Sequence, residues 1–376
     1  MAKHFVFFFI LVLCLSATLQ KEGKKRRKVK RNSSVVAHPR TFLGVPEKGS
    51  ILFALNGTQA PVFSNAPPAL ELLSNITKIY LDSPLSTRVI PIIYILAMAV
   101  GMPANIAILC MLATKLRKVS SAILYCSLAV SDLLLLLSLS FKAYYHLHGN
   151  NWALSEDLCR LVTACFYGNL YCSAQTLACI SIKRYIAVVH PFLYKGLPKR
   201  TCATWMTVAV WGVFAAGVTP ELLVQQSYWI PEVNRTTCHD VLPLKESTHV
   251  LLLHSNLFLT IFCLLLPLVV TIVCYSRIIC ELNRSHHDWS VYIKASSLVF
   301  VIFLVCFTPA GVLQLSHHIQ LFLGGTEGLY MYFKAAVCLC CLHACLDPFL
   351  FVLMSKSAGS RLNFKPFVKM SVSLSA

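Results

Sequence analysis

Two carboxylates, Asp132 in the stretch LAVSD and Asp347 in DPFLF, fall deep inside long apolar runs of this 376-residue chain. An ionised group is costly in such surroundings unless it meets a partner, so both are expected to face the interior of a helix bundle. Asn105 in GMPAN and Ser173 in YCS bring further oxygens. With the two acids they form a candidate sodium site built from oxygen ligands, the only non-protein group expected. A hydrogen-bonded core network without an ion fits the same four residues, and both readings stand at this point. Catalysis is not indicated, and the chain is read as no enzyme. Ser, His and Asp occur, but no G-x-S-x-G elbow, H-E-x-x-H pair or phosphate loop accompanies them.

The elements that position these residues follow from composition. Hydrophobic residues make up 57% of the chain and charged ones only 13%, with a mean hydropathy of +0.67. A soluble domain carries about 25% charged residues, so an ordinary cytoplasmic protein is excluded and lipid is the expected solvent. The formal charge of +18 is uneven: ten Lys/Arg fall at or before Arg40, against Glu22 alone. That basic run is short and lacks interleaved aromatics, so nucleic acid is not an expected partner. Residues 1–17 read as a secretory signal peptide, a signal anchor being the alternative. Residues 18–87 are polar and proline-containing and are expected to be a mostly disordered extracellular segment.

From Arg88 seven apolar runs recur: 89–113, 122–146, 158–182, 202–224, 250–274, 295–323 and 335–354. Each approaches the ~20 residues that cross a bilayer as a helix. An all-α membrane protein with a seven-helix bundle over 88–354 is therefore expected, followed by a short cytoplasmic tail, 355–376. One set of loops with the tail holds fifteen Lys/Arg, while the opposite set holds Lys142, Arg160, Arg235, Lys245 and Lys334. The positive-inside rule then places the N-terminus outside. Sequons at Asn32, Asn56, Asn75 and Asn234 lie on that outer side, as glycosylation requires. Most of the seventeen cysteines sit in apolar runs, but Cys159 and Cys238 fall at expected extracellular positions and read as a disulfide pair.

Across residues 88–356 the chain resembles the rhodopsin-like G-protein-coupled receptors. The marks are Asn105, Leu128–Asp132, Cys159, Lys183-Arg184-Tyr185, Trp211, Pro267, Tyr275, Phe303 to Pro309 and Asp347-Pro348. The resemblance implies a plasma-membrane receptor that engages a heterotrimeric G protein when its sixth helix swings outward. Arg184, Tyr275, Phe307, Pro309 and Pro348 are then the expected switch residues. Phe166 stands where amine receptors carry an acid, and no Lys follows Lys334 within the last span, so amines and retinal are disfavoured. The outer stretches His148–Trp152, Phe166–Ser173 and Thr236–Leu242 are similar to the protease-activated receptors.

That family resemblance implies a cleavage site in the exposed N-terminus. Arg40-Thr41 fits, with Pro39 before it and Thr41, Phe42, Leu43, Gly44, Val45 and Pro46 after it as the tethered ligand. Arg40 suits the acidic specificity pocket of a trypsin-like, thrombin-like serine protease. The 47 residues from Thr41 to Arg88 span roughly 40 Å as a coil, enough to reach the bundle mouth. Tethering gives an effective concentration on the order of millimolar. Asp240 is the expected partner of the new ammonium, with His239, Tyr94, Tyr167, His317, His318 and Tyr330 lining the outer pocket. An aromatic belt for the tyrosines and interfacial solvation for the histidine pair are the alternatives.

Departures from the family pattern point to a second reading. Lys183 stands where an acid usually precedes Arg184, Phe351 replaces a tyrosine, Phe307 replaces a tryptophan, and no acidic-aromatic stretch follows Glu47. A poorly signalling protease-binding cofactor, or a dimer partner for a related receptor, fits those losses. The basic run Lys24–Arg31 reads as a proprotein-convertase site, a sulphated-glycan patch or a solvated segment.

Overall fold

The computed structural model describes residues 42–46, 68–72, 74–113, 120–243, 254–284, 290–322 and 329–357. The signal peptide, the expected propeptide 18–40 with Asn32 and Arg40, the ligand's first residue Thr41, the sequon Asn56, and the cytoplasmic tail beyond Ser357 lie outside them.

Long apolar stretches become helices because only a helix satisfies its own backbone groups in lipid. In order these are α1 (Asn75–Asp82), α2 (Leu85–Ala113), α3 (Ser120–Leu147), α4 (Glu156–Val189), the short α5 (Pro191–Gly196) and α6 (Lys199–Leu223). They continue as α7 (His254–Arg284), α8 (Ser290–Phe322), α9 (Leu329–Cys340) and α10 (His343–Ser357). Helices α2, α3, α4, α6, α7, α8 and the joined pair α9–α10 are the seven expected spans. Length and apolarity alone qualify α2, α3, α6, α7 and the α9–α10 stretch to cross a membrane. Ser155 caps α4 by accepting from the Leu158 N–H, and Glu156 and Asp157 complement the positive end of that helix. Prolines 103, 220, 309 and 348 lie inside helices. A π turn at Thr260–Leu265 precedes Pro267 and takes up the register change in α7.

Packing runs α2 on α3, α3 on α4, α4 on both α6 and α7, and α8 on α7 and α9. The core is aromatic, with Tyr167, Tyr275, Phe307, Tyr330 and Phe333 fully buried. Leu96, Trp205, Leu223, Phe262 and Val269 are exposed, as expected of side chains whose solvent is lipid. Two cross-links tie the spans together by polar contacts: Trp211 Nε1 donates to Ser127 Oγ at 2.8 Å, and Asn105 Nδ2 to the Ala344 carbonyl at 2.8 Å. A Cβ on Gly168 would stand 2.6 Å from both Phe214 and Val218, so α4 and α6 meet there only because the side chain is absent. Gly168→Val is expected to lower the melting temperature of the purified receptor by several degrees, an overpacking cost of about 1–3 kcal/mol. Gly212→Ala, with nothing within 4 Å, is the control that melts like wild type.

A folded cap covers the outer end. Strands β3 (Ser227–Ile230) and β4 (Arg235–Cys238) form an antiparallel hairpin, with Ser227 opposite Cys238. The Cys159–Cys238 disulfide, read from the sequence, pins β4 to α4. The Glu156 carboxylate accepts from the N–H groups of Gln226 and Ser227, each at 2.7 Å, and so clamps the start of the hairpin. A second sheet has the order β2-β1-β5, from β1 (Phe42–Pro46), β2 (Leu70–Leu72) and β5 (Val241–Pro243). Within the segment expected to be mostly disordered, the described residues from Pro68 onward are thus folded. Tyr80 and Leu81 of α1 are buried, Asn150 Nδ2 donates to the Leu81 carbonyl at 2.7 Å, and Arg235 pairs with Asp82 at 2.8 Å. Asn75 and Asn234 are exposed on this cap, so both sequons are accessible.

Candidate functional site

His239 and Asp240 follow β4 directly, and the backbone there decides what Asp240 can reach. His239 adopts φ +65°, a left-handed conformation that side chains disfavour. It is held by its N–H donating to the Gln226 carbonyl at 2.8 Å and by its Nδ1 against Gln226 Oε1 at 2.5 Å. The resulting bend leaves Asp240 1% exposed. Its Oδ1 accepts from Lys334 Nζ at 2.7 Å and from the Tyr330 hydroxyl at 3.0 Å, and its Oδ2 from the Tyr145 hydroxyl at 2.7 Å. Burial pushes the Asp240 carboxyl up, but the ammonium of Lys334, with His146 and Lys142, outweighs that and holds it at about 2. The carboxylate is charged and fully partnered.

Around this cage the other expected pocket residues assemble. Tyr330 stands 6.3 Å from His317, and Tyr167 stands 5.1 Å from His239 by ring centroids. Tyr167 packs edge-on against Phe166, and Phe166 against Tyr94. His318 is buried too, its Nδ1 donating to the Gln314 carbonyl at 3.0 Å. None of these side chains is placed in a lipid-facing belt or a solvated interface; all lie in the interior. Two expectations are corrected here. Lys142 and Lys334 are not loop cations but helical residues, 5% and 6% exposed. Asp240 supplies the counter-charge that lets Lys334 enter, and Lys142 Nζ lies over the Phe166 ring at 5.0 Å. Tyr145 and Tyr80 also belong to this network, Tyr80 packing edge-on against Tyr330.

Deeper in the bundle, Asp132 and Asp347 come together as their types suggested. Ser173 Oγ donates to Asp132 Oδ1 at 3.3 Å and accepts from Asn169 Nδ2 at 3.1 Å. The Asn105 amide donates to the carbonyls of Gly101 and Ala344, an inter-helix brace. A residue that sequence reading passed over joins the two acids: His343, whose Nε2 lies 3.4 Å from Asp132 Oδ1. Its place four residues before Asp347 puts both on one face of α10, a signal present in the sequence.

The chain that carries these clusters is similar to known receptors. The model for the 7 transmembrane receptor (rhodopsin family) fits residues 104–351. The chain is 43% identical to proteinase-activated receptor 3 of Bos taurus, over 88% of this chain and 90% of that protein. It is 45% identical to proteinase-activated receptor 3 of Homo sapiens over 76% of each. It is 33% identical to proteinase-activated receptor 1 of Xenopus laevis, over 80% of this chain and 72% of that protein. The chain belongs to the proteinase-activated receptors, within the rhodopsin family. It is a multi-pass plasma-membrane receptor, and its family is one of receptors rather than enzymes.

At the cytoplasmic end of this proteinase-activated receptor, Arg184 lacks the acidic neighbour that Lys183 replaces. Tyrosine hydroxyls serve instead: Arg184 donates to Tyr275 at 3.1 Å and to Tyr125. Tyr125 in turn packs edge-on against Phe351, 5.3 Å between centroids. Phe307 is fully buried and meets the His343 ring at 4.8 Å, linking the switch region to the carboxylate core. Pro309 and Pro348 lie inside α8 and α10.

Proposed function

We propose that a trypsin-like, thrombin-like serine protease switches this receptor on by cutting after Arg40, which frees Thr41 as the start of a tethered ligand. The observation that carries this reading is the register of β1. Phe42, Leu43 and Gly44 pair in parallel with Val241, Leu242 and Pro243, directly after Asp240. Gly44, Val45 and Pro46 pair antiparallel with Leu72, Glu71 and Leu70. The stretch expected to be the agonist thus occupies the central position of a sheet on the outer cap, a strand-addition mode of peptide binding. What the cut adds is a new ammonium on the residue before Phe42. Asp240, the residue before Val241, is the carboxylate that this ammonium would seek.

Lys334 already holds that carboxylate, so docking amounts to an exchange of ion pairs. The incoming ammonium would displace Lys334 and loosen α9 from the outer loop. Tyr330 lies on the same helix, and its links to Asp240 and to Tyr80 in the cap would be disturbed. Outward movement of α8 and engagement of a heterotrimeric G protein follow in this scheme.

The test uses the full chain carrying an N-terminal epitope, expressed in cells lacking related receptors. Protease is expected to remove the epitope and raise a second-messenger signal. Arg40→Ala should abolish both, while synthetic TFLGVP amide still activates that variant. Epitope loss without any signal would favour the presenter or dimer-partner reading. Full protease response of Arg40→Ala would remove the cleavage proposal.

A further inference from the structure

At the outer end of α3 stands a buried lysine that no acid receives. Lys142 is 5% exposed, and its one direct charge contact among the described residues is the Phe166 ring, 5.0 Å from Nζ to the centroid. We infer that Lys142 anchors a binding site for a small monovalent anion, chloride. Among the described residues two carboxylates are buried in this outer half, and both are committed elsewhere. Asp240 Oδ1 accepts from Lys334 Nζ at 2.7 Å and from the Tyr330 hydroxyl at 3.0 Å, and its Oδ2 from the Tyr145 hydroxyl at 2.7 Å. Glu221 Oε2 accepts from Gln226 Nε2 at 3.0 Å and stands 4.0 Å from His239 Nδ1. At Lys142 the repulsion from Lys334 exceeds the attraction of Asp240, so that ion pair supplies no counter-charge. A ring face offsets only part of what it costs to take an ammonium out of water.

There is room for the missing partner. Phe166 lines a small cavity with Tyr167, Val337 and Cys341, large enough for about one water or ion. Lys142 lies close enough to Cys341 to interact with it electrostatically, which places the ammonium beside that cavity. Tyr94 of α2 meets Phe166 edge-on, with 6.1 Å between ring centroids. Ring edges carry the positive end of the aromatic quadrupole and so suit an anion. A single ammonium calls for one negative charge, which disfavours the dianions sulfate and phosphate. Chloride is the small monovalent anion abundant on the extracellular side, where this end of the bundle lies. The site also bears on activation, a consequence that rests on the ion-pair exchange proposed above. Once Lys334 is displaced from Asp240, two ammoniums stand in one cage, and the anion would hold both.

The experiment uses full-length receptor purified in detergent and titrated with sodium chloride against sodium gluconate at constant ionic strength. Sodium is the same throughout, so any response to the cation cancels. Thermal unfolding followed by tryptophan fluorescence gives the readout. No ligand takes part, so the result stands whether or not the peptide activates. Chloride is expected to raise the melting temperature by several degrees and to saturate, as binding to the folded state alone requires. Lys142→Met should lose that response and melt no lower than wild type in gluconate, because no lone charge is then buried. Should Lys142→Met fail to reach the cell surface, Lys142→Gln carries the test and should lose the chloride response too. Equal wild-type melts in chloride and gluconate would overturn the proposal and mean that Lys142 is buried as a neutral amine. A chloride response that survives in the Lys142 variants overturns it as well.

Discussion

Lys334→Met is expected to destabilise the folded receptor by about 3–5 kcal/mol, because it leaves the Asp240 carboxylate buried without its ammonium. Asp240 and Lys334 are 1% and 7% exposed at the side chain, and the pair is 2.7 Å apart, so water cannot substitute. Asp240→Asn should cost a similar amount by stranding Lys334. The double variant, Asp240→Asn with Lys334→Met, should recover most of either loss, since neither charge is then buried alone. Thermal melts of the four receptors in detergent measure this directly. Additive losses in the double variant would mean that the two residues act independently.

The same pair makes a separable prediction about activation. If the ligand's ammonium must displace Lys334, then Lys334→Met should raise the potency of TFLGVP amide, and Asp240→Asn should lower it. Opposite shifts on the two sides of one ion pair are the signature of exchange. Unchanged peptide potency in Asp240→Asn would remove the ammonium-docking hypothesis, whatever the melts show.

The second large effect concerns the ligand's backbone. As the central strand, β1 pairs with β5 through Phe42–Gly44 and with β2 through Gly44–Pro46, so Gly44 is the residue flanked by a strand on both sides. Single N-methylation of the peptide at Leu43, Gly44 or Val45 removes one donor and places a methyl against the adjoining strand. Each substitution is expected to reduce potency by roughly tenfold to a hundredfold, about 1.4–2.8 kcal/mol. Gly44 is the discriminating position. A ligand read only through its side chains would be indifferent to methylation there, and such a result would sink the strand-addition mode.

Several features are determined by the sequence alone. The seven spans follow from the length and apolarity of uninterrupted runs, which lipid forces into helices, and the uneven Lys/Arg content orients them. Asp132 and Asp347 announced a shared interior because neither carboxylate is tolerable alone in hydrocarbon. The Cys159–Cys238 bond and the exposure of Asn75 and Asn234 followed from that topology. The outer pocket residues also came together, although their types alone left room for a lipid-facing belt.

Other features rest on contacts between distant parts of the chain. Lys334 looks like a helix-end cation until Asp240, ninety-odd residues earlier, is folded over it, and only then does burial become tolerable. Phe42–Pro46 reads as a peptide of no fixed shape; its strand state comes from β5, some two hundred residues away, and from β2 on the other edge. Arg184 lost an acid by sequence and recovered its hydrogen bonds from Tyr125 and Tyr275 on two other helices. His343 could be seen beside Asp347 on one helical face, but its aim at Asp132 depends on how α3 meets α10. Hydropathy and charge act locally, and so the chain alone set the spans and their orientation. Partners for buried charge and for strand edges are supplied at a distance, and only the packed bundle decided them.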